Sequence, residues 1–217
     1  MTNLCKRQNG KNVYTAEDCF RFLEERGQHH YGAHFRIYPE DHKLIFRLLV
    51  YFIQDLHTAK ELNLNLRKGI LLTGPIGCGK TSLMFLMRYF LPDYRQYTIK
   101  STRTISLEFQ QNGHEIIQRY SNQSFHYQCG ELHPKALCFD DLVVEQPLKH
   151  YGNQCNIMAE ILLSRYDLFI HRHMLTHLTT NLSASEIEQA YGNRVRSRMR
   201  EMFNLLAFDR EAKDKRV

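Results

Sequence analysis

The stretch KGILLTGPIGCGKT, residues 68–81, decides the fold. Its first half, Gly69 to Thr73, is a short run of branched apolar residues, the pattern of a buried strand. Its second half, residues 74–81, satisfies G-x-x-x-x-G-K-[ST] and leads into a stretch that predicts a helix from Lys80 to about Phe90. Strand, glycine-rich turn and helix in that order make a cradle for phosphate. Gly74, Gly77 and Gly79 let the backbone wrap closely, so the turn through Pro75, Ile76 and Cys78 can face its N–H groups to anionic oxygens. Lys80, Thr81 and Ser82 open the helix, whose uncapped donors and positive dipole end add to the cradle. Lys80 is placed to reach the β- and γ-phosphates and the Thr81 hydroxyl to ligate Mg²⁺. ATP with Mg²⁺ is therefore the expected ligand.

Such a site needs a second carboxylate near the metal. Residues 136–141, ALCFDD, provide four mostly apolar residues and then two acids at the carboxyl end of a predicted strand, where ligands bind in open α/β sheets. Asp140 is the expected holder of the metal-bound water, and Asp141 the group that polarises the attacking water.

Around these motifs the chain alternates strands and helices. Further strands are predicted at Tyr97–Lys100, Ala136–Phe139, Met174–Thr179 and Asn204–Phe208. Helices are predicted between Ile105 and Tyr120, from Asn156 to Tyr166, after a capping-box signature at Ser183–Glu186, and over Asn193–Phe203. Strands separated in this way imply a parallel five-stranded sheet between helices, an α/β P-loop NTPase. Two earlier helices are predicted, one from Thr15 to about Arg26 stopping at Gly27, the other from Pro39 to about Leu62 with one broad apolar stripe. Residues 1–66 thus read as a helical N-terminal extension for binding a partner, and residues 67–217 as the nucleotide-binding core. Removal of residues 1–62 is expected to spare nucleotide binding.

The chain has 217 residues with 43% hydrophobic and 24% charged side chains, which fits a globule with a sizeable core and excludes a disordered chain. The formal net charge is +6, and residues 191–217 hold eight basic and four acidic side chains, so most of the excess lies at the C-terminal end. No apolar run follows Lys6-Arg7, and the most hydrophobic segment, Leu44–Ile53, is ten residues long and contains Arg47. It is too short to span a bilayer, so a cytoplasmic protein without membrane contact is expected. The six cysteines form no CxxC pair and read as reduced and structural. His126, Cys129 and His133 have the best metal-ligand spacing, but their segment reads as a loop. His171, His173 and His177 fall on or beside a predicted strand and read as ordinary surface or partly buried side chains.

Four motifs taken together resemble an AAA+ ATPase of the DnaC/IstB-like family, the helicase loaders and insertion-sequence ATP-binding proteins. They are GPIGCGKT at 74–81, ALCFDDLVVE at 136–145, THLTTNL at 176–182 and YGNRVRSRM at 191–199. The resemblance implies that Asn181 is the sensor that hydrogen-bonds the γ-phosphate or the attacking water. It implies that Arg198 is an arginine finger acting in trans in a homo-oligomer. Glu145 matches an acidic position in some relatives and is an alternative to Asp141. The chain lacks room for the helical lid of many AAA+ proteins after its last strand, and Arg216, or else Arg210, stands where a second sensor arginine is needed. By the same resemblance the partners are DNA, contacted through its backbone, and a client such as a replicative helicase or a transposase. The implied role is a loader or a transposition ATPase. Two other functions fit the cradle alone: a P-loop kinase of a small molecule, and an ATP-dependent binding module with little turnover.

Overall fold

The structure, a computed structural model, describes residues 6–8, 11–128, 130–143, 148–150 and 153–216. A two-stranded antiparallel ribbon, β1 (Lys6–Gln8) and β2 (Lys11–Val13), comes first. Helix α1 (Ala16–Tyr31) starts as its sequence dictates, with the Thr15 hydroxyl accepting the Asp18 N–H and acids in the first turn. It does not stop at Gly27. The Phe35 ring occupies the place a Cβ would take there, so that glycine serves close packing inside a continuing helix. The expected long helix from Pro39 is interrupted too. A 3-10 turn (Pro39–Asp41) precedes α2 (His42–Ile53), Gln54 takes a left-handed conformation with φ 64°, and α3 (Leu56–Glu61) follows. Asp55 enforces the break by accepting the N–H groups of His57 and Thr58 at 3.1 Å each.

The sheet begins with β3 (Gly69–Thr73), which leads through the glycine-rich turn into α4 (Lys80–Met87). Then come β4 (Thr98–Ser101), α5 (Thr102–Asn112) and α6 (Glu115–Tyr120). Residues expected as a loop form a hairpin, β5 (Phe125–Gln128) with β6 (Glu131–Pro134), in which His126 lies opposite His133; Cys129 falls outside the described residues. Strand β7 (Leu137–Leu142) runs three residues beyond its expected end, so Asp140 and Asp141 lie within it. A ribbon of β8 (Leu148–His150) and β9 (Asn153–Cys155) precedes α7 (Ile157–Arg172). Strand β10 (Thr176–Thr180), α8 (Ala184–Met202) and β11 (Phe203–Ala207) complete the chain's regular structure. The Ser183–Glu186 capping box is formed, and α8 carries a break at Gly192, φ 83°.

Five strands make one parallel sheet in the order β11–β3–β10–β7–β4. Because all run the same way, the ends of β3, β7 and β10 meet on one edge, where the sequence puts its candidate residues. Each face is covered, as the period of two requires. Ile70 and Leu72 pack with α1, α2 and α4, while Leu71 packs with α5, α7 and α8. The first of these clusters joins Phe22, Leu23, Leu48 and Phe52 to the strand before the glycine-rich turn. Deleting residues 1–62 would strip one face of the sheet, so the expectation that nucleotide binding survives that truncation fails.

Two buried polar side chains lock the sheet. Arg165, fully buried in α7, donates to the Thr176 hydroxyl at 2.7 Å and to the carbonyls of Tyr120, Lys135 and Leu175 at 2.8–3.0 Å. Burial lowers its pKa to about 9. Of the three histidines grouped by sequence, His171 is in α7 and His173 follows it in a left-handed conformation; only His177 lies in a strand. It is buried among Tyr51, Phe52 and Tyr97, and its Nδ1 accepts the Ile70 N–H at 3.1 Å.

His177 gives the fold an acid-sensitive element. Burial chiefly, with the charges of Arg165 and Arg95, lowers its pKa from 6.5 to about 3. Between these values the unfolded chain binds a proton that the folded chain refuses. The stability present above pH 6.5 is therefore lost as pH falls towards 3, by up to about 1.4 kcal/mol per pH unit. Thermal midpoints at pH 7 and pH 5 should differ less in His177→Gln, whose carbonyl can still accept from Ile70, than in the unaltered chain.

Candidate functional site

The turn after β3 has the backbone its glycines were expected to permit. Gly77 and Gly79 have φ of 79° and 98°, conformations that side chains disfavour. Gly79 is the N-cap of α4 and supplies no side-chain cap, so the first N–H groups of that helix face the turn. Lys80 is buried, and its Nζ donates to the carbonyls of Gly74 at 2.8 Å and Pro75 at 2.7 Å. Its ammonium is thus held over the mouth of the cradle. Cys78 is also buried; desolvation raises its thiol pKa against the opposing pull of Lys80, which keeps it a thiol. Ile76 is exposed at the tip of the turn.

Thr81 meets the acids across the sheet edge. Its hydroxyl lies 2.9 and 3.0 Å from the two carboxylate oxygens of Asp140. Asp140 Oδ1 also accepts the Thr179 hydroxyl at 2.7 Å, and that hydroxyl accepts the Asp141 N–H at 2.8 Å. The pairing of β7 with β10 shifts register here, between Leu178 and Thr180. Asp141 has φ 60°, its carbonyl accepts the Thr102 hydroxyl at 2.7 Å, and its side chain is exposed. A hydroxyl beside a carboxylate is an all-oxygen donor set that suits a hard divalent cation, so Thr81 and Asp140 fit Mg²⁺. Glu145 lies outside the described residues.

The remaining candidates divide between two cavities. Asn181 is exposed at the end of β10 and lines a 590 Å³ cavity with Gly74, Pro75, Ile187, Met199 and Arg210. Arg216 lines a 230 Å³ cavity on the other side of the turn, with Gly77, Cys78, Gly79 and Ser82. Arg198 lines neither cavity; its guanidinium lies 4.8 Å from the Tyr166 ring centre, against α7. The candidates Lys80, Thr81, Ser82, Asp140 and Asp141 are therefore gathered around one turn, and Arg198 stands apart from them within one chain.

The structure adds residues that the motifs did not point to. Thr179 orients Asp140, and alternation along β10 was the available signal. The smaller cavity is walled by Tyr31, Phe35, Ile37 and Tyr38. Tyr31 hydrogen-bonds Ser82, and burial, with the nearby charge of Asp140, raises its phenol pKa. Only the aromatic density of residues 31–38 hinted at this wall.

No family model matches the chain, and no curated protein matches it. Solved structures do. One is a candidate primosome component from Streptococcus pyogenes serotype M3, at 16% identity over 81% of this chain and 83% of that one, with a TM-score of 0.53. The DnaC helicase loader is similar at 19% identity over 72% of this chain and 89% of that one, TM-score 0.49. DnaI follows at 17% identity over 74% and 82%, TM-score 0.48. The fold is that of an AAA+ P-loop NTPase. These likenesses agree with the resemblance carried by the four motifs, and at such identities they are likenesses of fold. Within this AAA+ fold, the carboxyl ends of β3, β7 and β10 hold Lys80, Asp140 and Thr179 against one another. No helix among the described residues is long and apolar enough to cross a membrane.

Thr179→Val keeps the side chain's shape but leaves the Asp141 N–H and one Asp140 oxygen without their partner. Denaturant unfolding should show a loss of about 1–3 kcal/mol, and Thr179→Ser should recover most of it.

Proposed function

We propose that this chain binds ATP with Mg²⁺ at the glycine-rich turn and hydrolyses it when a second copy completes the site. The observation that carries the reading is the contact of Thr81 with Asp140 beside the buried Lys80. The backbone of Gly77 to Thr81, with the α4 N-terminus, supplies N–H donors for phosphate oxygens. Lys80 neutralises charge at the terminal phosphates, and its ammonium is already held in place by two carbonyls. Thr81 and Asp140 would hold Mg²⁺, which supplies charge neutralisation as phosphate leaves. Asp141, exposed and fixed through its backbone, is the residue that orients the attacking water, and Asn181 approaches from β10. Tyr31, Phe35 and Tyr38 form an apolar wall suited to the base.

Arg198 is the residue this chain offers to its neighbour. Its distance from the gathered residues supports action in trans, as the motif YGNRVRSRM implies. The motif order further supports a role of the helicase-loader or mobile-element type, with DNA and a client protein assembled on the ATP-bound oligomer. Residues 1–66 are the surface proposed for the client, beyond those side chains that are committed to the core.

Two measurements test this. The ATPase rate per chain should rise steeply with protein concentration, and DNA should stimulate it further; a rate independent of both contradicts the loader reading. Arg198→Ala should keep nucleotide binding and lose about 10³-fold in hydrolysis. Mixed with Lys80→Ala it should recover part of the activity. Co-assembled mutants that recover none contradict action in trans.

A further inference from the structure

After β11 the chain does not leave the molecule. The Phe208 N–H donates to the Thr73 carbonyl at 2.9 Å, Asp209 begins a turn, and residues 214–216 return across the phosphate-binding turn. There the Lys215 N–H donates to the Gly77 carbonyl at 3.0 Å. The Lys215 ammonium pairs with Asp41 at the start of α2 and lies 5.2 and 4.9 Å from the ring centres of Tyr38 and Phe208. Both partners are largely covered, with side chains 17% and 8% exposed. Beside them the Asp214 carboxylate presses on Gly77, where any Cβ would overlap it, and accepts from Arg216 at 2.9–3.1 Å. Lys215 and Arg216 also line the smaller cavity, opposite Tyr31 and Phe35.

We propose that residues 209–216 form a strap that holds the phosphate-binding turn in its binding shape, with Lys215 as the positioning residue that ties Gly77 to Asp41. The inference rests on the proposed nucleotide site. The coupling runs through one peptide group. In a trans peptide the Gly77 carbonyl and the Cys78 N–H point in opposite directions, and the described chain has no cis peptide. By binding the carbonyl from outside the turn, Lys215 directs the Cys78 N–H into the cradle. The pair with Asp41 anchors that contact, because an ion pair this well covered is not loosened by solvent as exposed pairs are. Loss of the ammonium leaves the Asp41 carboxylate covered and unpaired, which drives the strap off. Lys215 thereby links four segments distant in sequence: the 3-10 turn before α2, the glycine-rich turn, the end of β11 and the chain's last residues.

The test uses the full chain and ATP with magnesium. Lys215→Met keeps an apolar stem between the two rings and removes the charge. It should melt within a few degrees of the unaltered chain and bind ATP at least about tenfold more weakly, near 1.4 kcal/mol. Asp41→Asn should weaken binding similarly, and the double variant should be little worse than either single one, since the pair acts as a unit. In the unaltered chain, saturating ATP should slow amide exchange across residues 209–216. Lys215→Met with normal melting and normal ATP affinity overturns the proposal, as does exchange in that segment that ATP leaves unchanged. If Lys215→Met does not fold, the exchange measurement decides. A wild-type chain that binds no ATP contradicts the nucleotide site itself, an outcome distinct from a defect confined to the variants.

Discussion

The Thr179 hydroxyl donates to the Asp140 carboxylate and accepts the Asp141 N–H, and so joins β10 to β7 where their register shifts. This bond turns two consecutive acids to different tasks. Asp140 is held toward Thr81 and the glycine-rich turn, while Asp141, in a left-handed conformation, carries its side chain into solvent. Without the bridge the carboxylate would be free to rotate, and the donor set for a divalent cation would lose its geometry. The rest of the sheet serves that alignment. Arg165 fastens α7 to the sheet and the preceding turns, and His177 joins β10 to β3 from the opposite face.

The site is enclosed by both ends of the chain. From the N-terminal side come Tyr31 and the 35–38 segment; from the C-terminal side come Lys215 and Arg216. Asp41 and Lys215, 174 residues apart, close the ring. The C-terminal charge excess is thus committed in part to the glycine-rich turn and in part to α8, with Arg198 over Tyr166 and Arg196 paired with Glu188. Charge available for nucleic acid is correspondingly smaller than the net value suggests.

The legible features were local ones. The glycine-rich turn, the strand before it, the acids on β7 and the Ser183 capping box each depend on residues within a few positions, and each forms where expected. Local signals misled where a distant partner decides. Gly27 has the composition of a helix end, but Phe35 packs on it and the helix continues. The apolar stripe from Leu44 to Leu56 reported burial correctly and could not reveal that Asp55 restarts the helix. Strand β7 ran past its apolar segment because β10 supplies partners for its polar end. The hairpin at 125–134 escaped notice since His, Gln and Glu mask its alternation. Thr179, Tyr31 and the Asp41–Lys215 pair had no signature at all, because their roles arise only when remote segments meet.

The central claim is that Lys80, Thr81 and Asp140 form one magnesium-dependent nucleotide site. Calorimetric titration of ATP into the unaltered chain and into Asp140→Asn, each with and without Mg²⁺, tests it most directly. One ATP should bind per chain, magnesium should tighten binding in the unaltered chain, and Asp140→Asn should lose that enhancement while still binding nucleotide. Absence of ATP binding, or an equal magnesium effect in both proteins, would contradict the account.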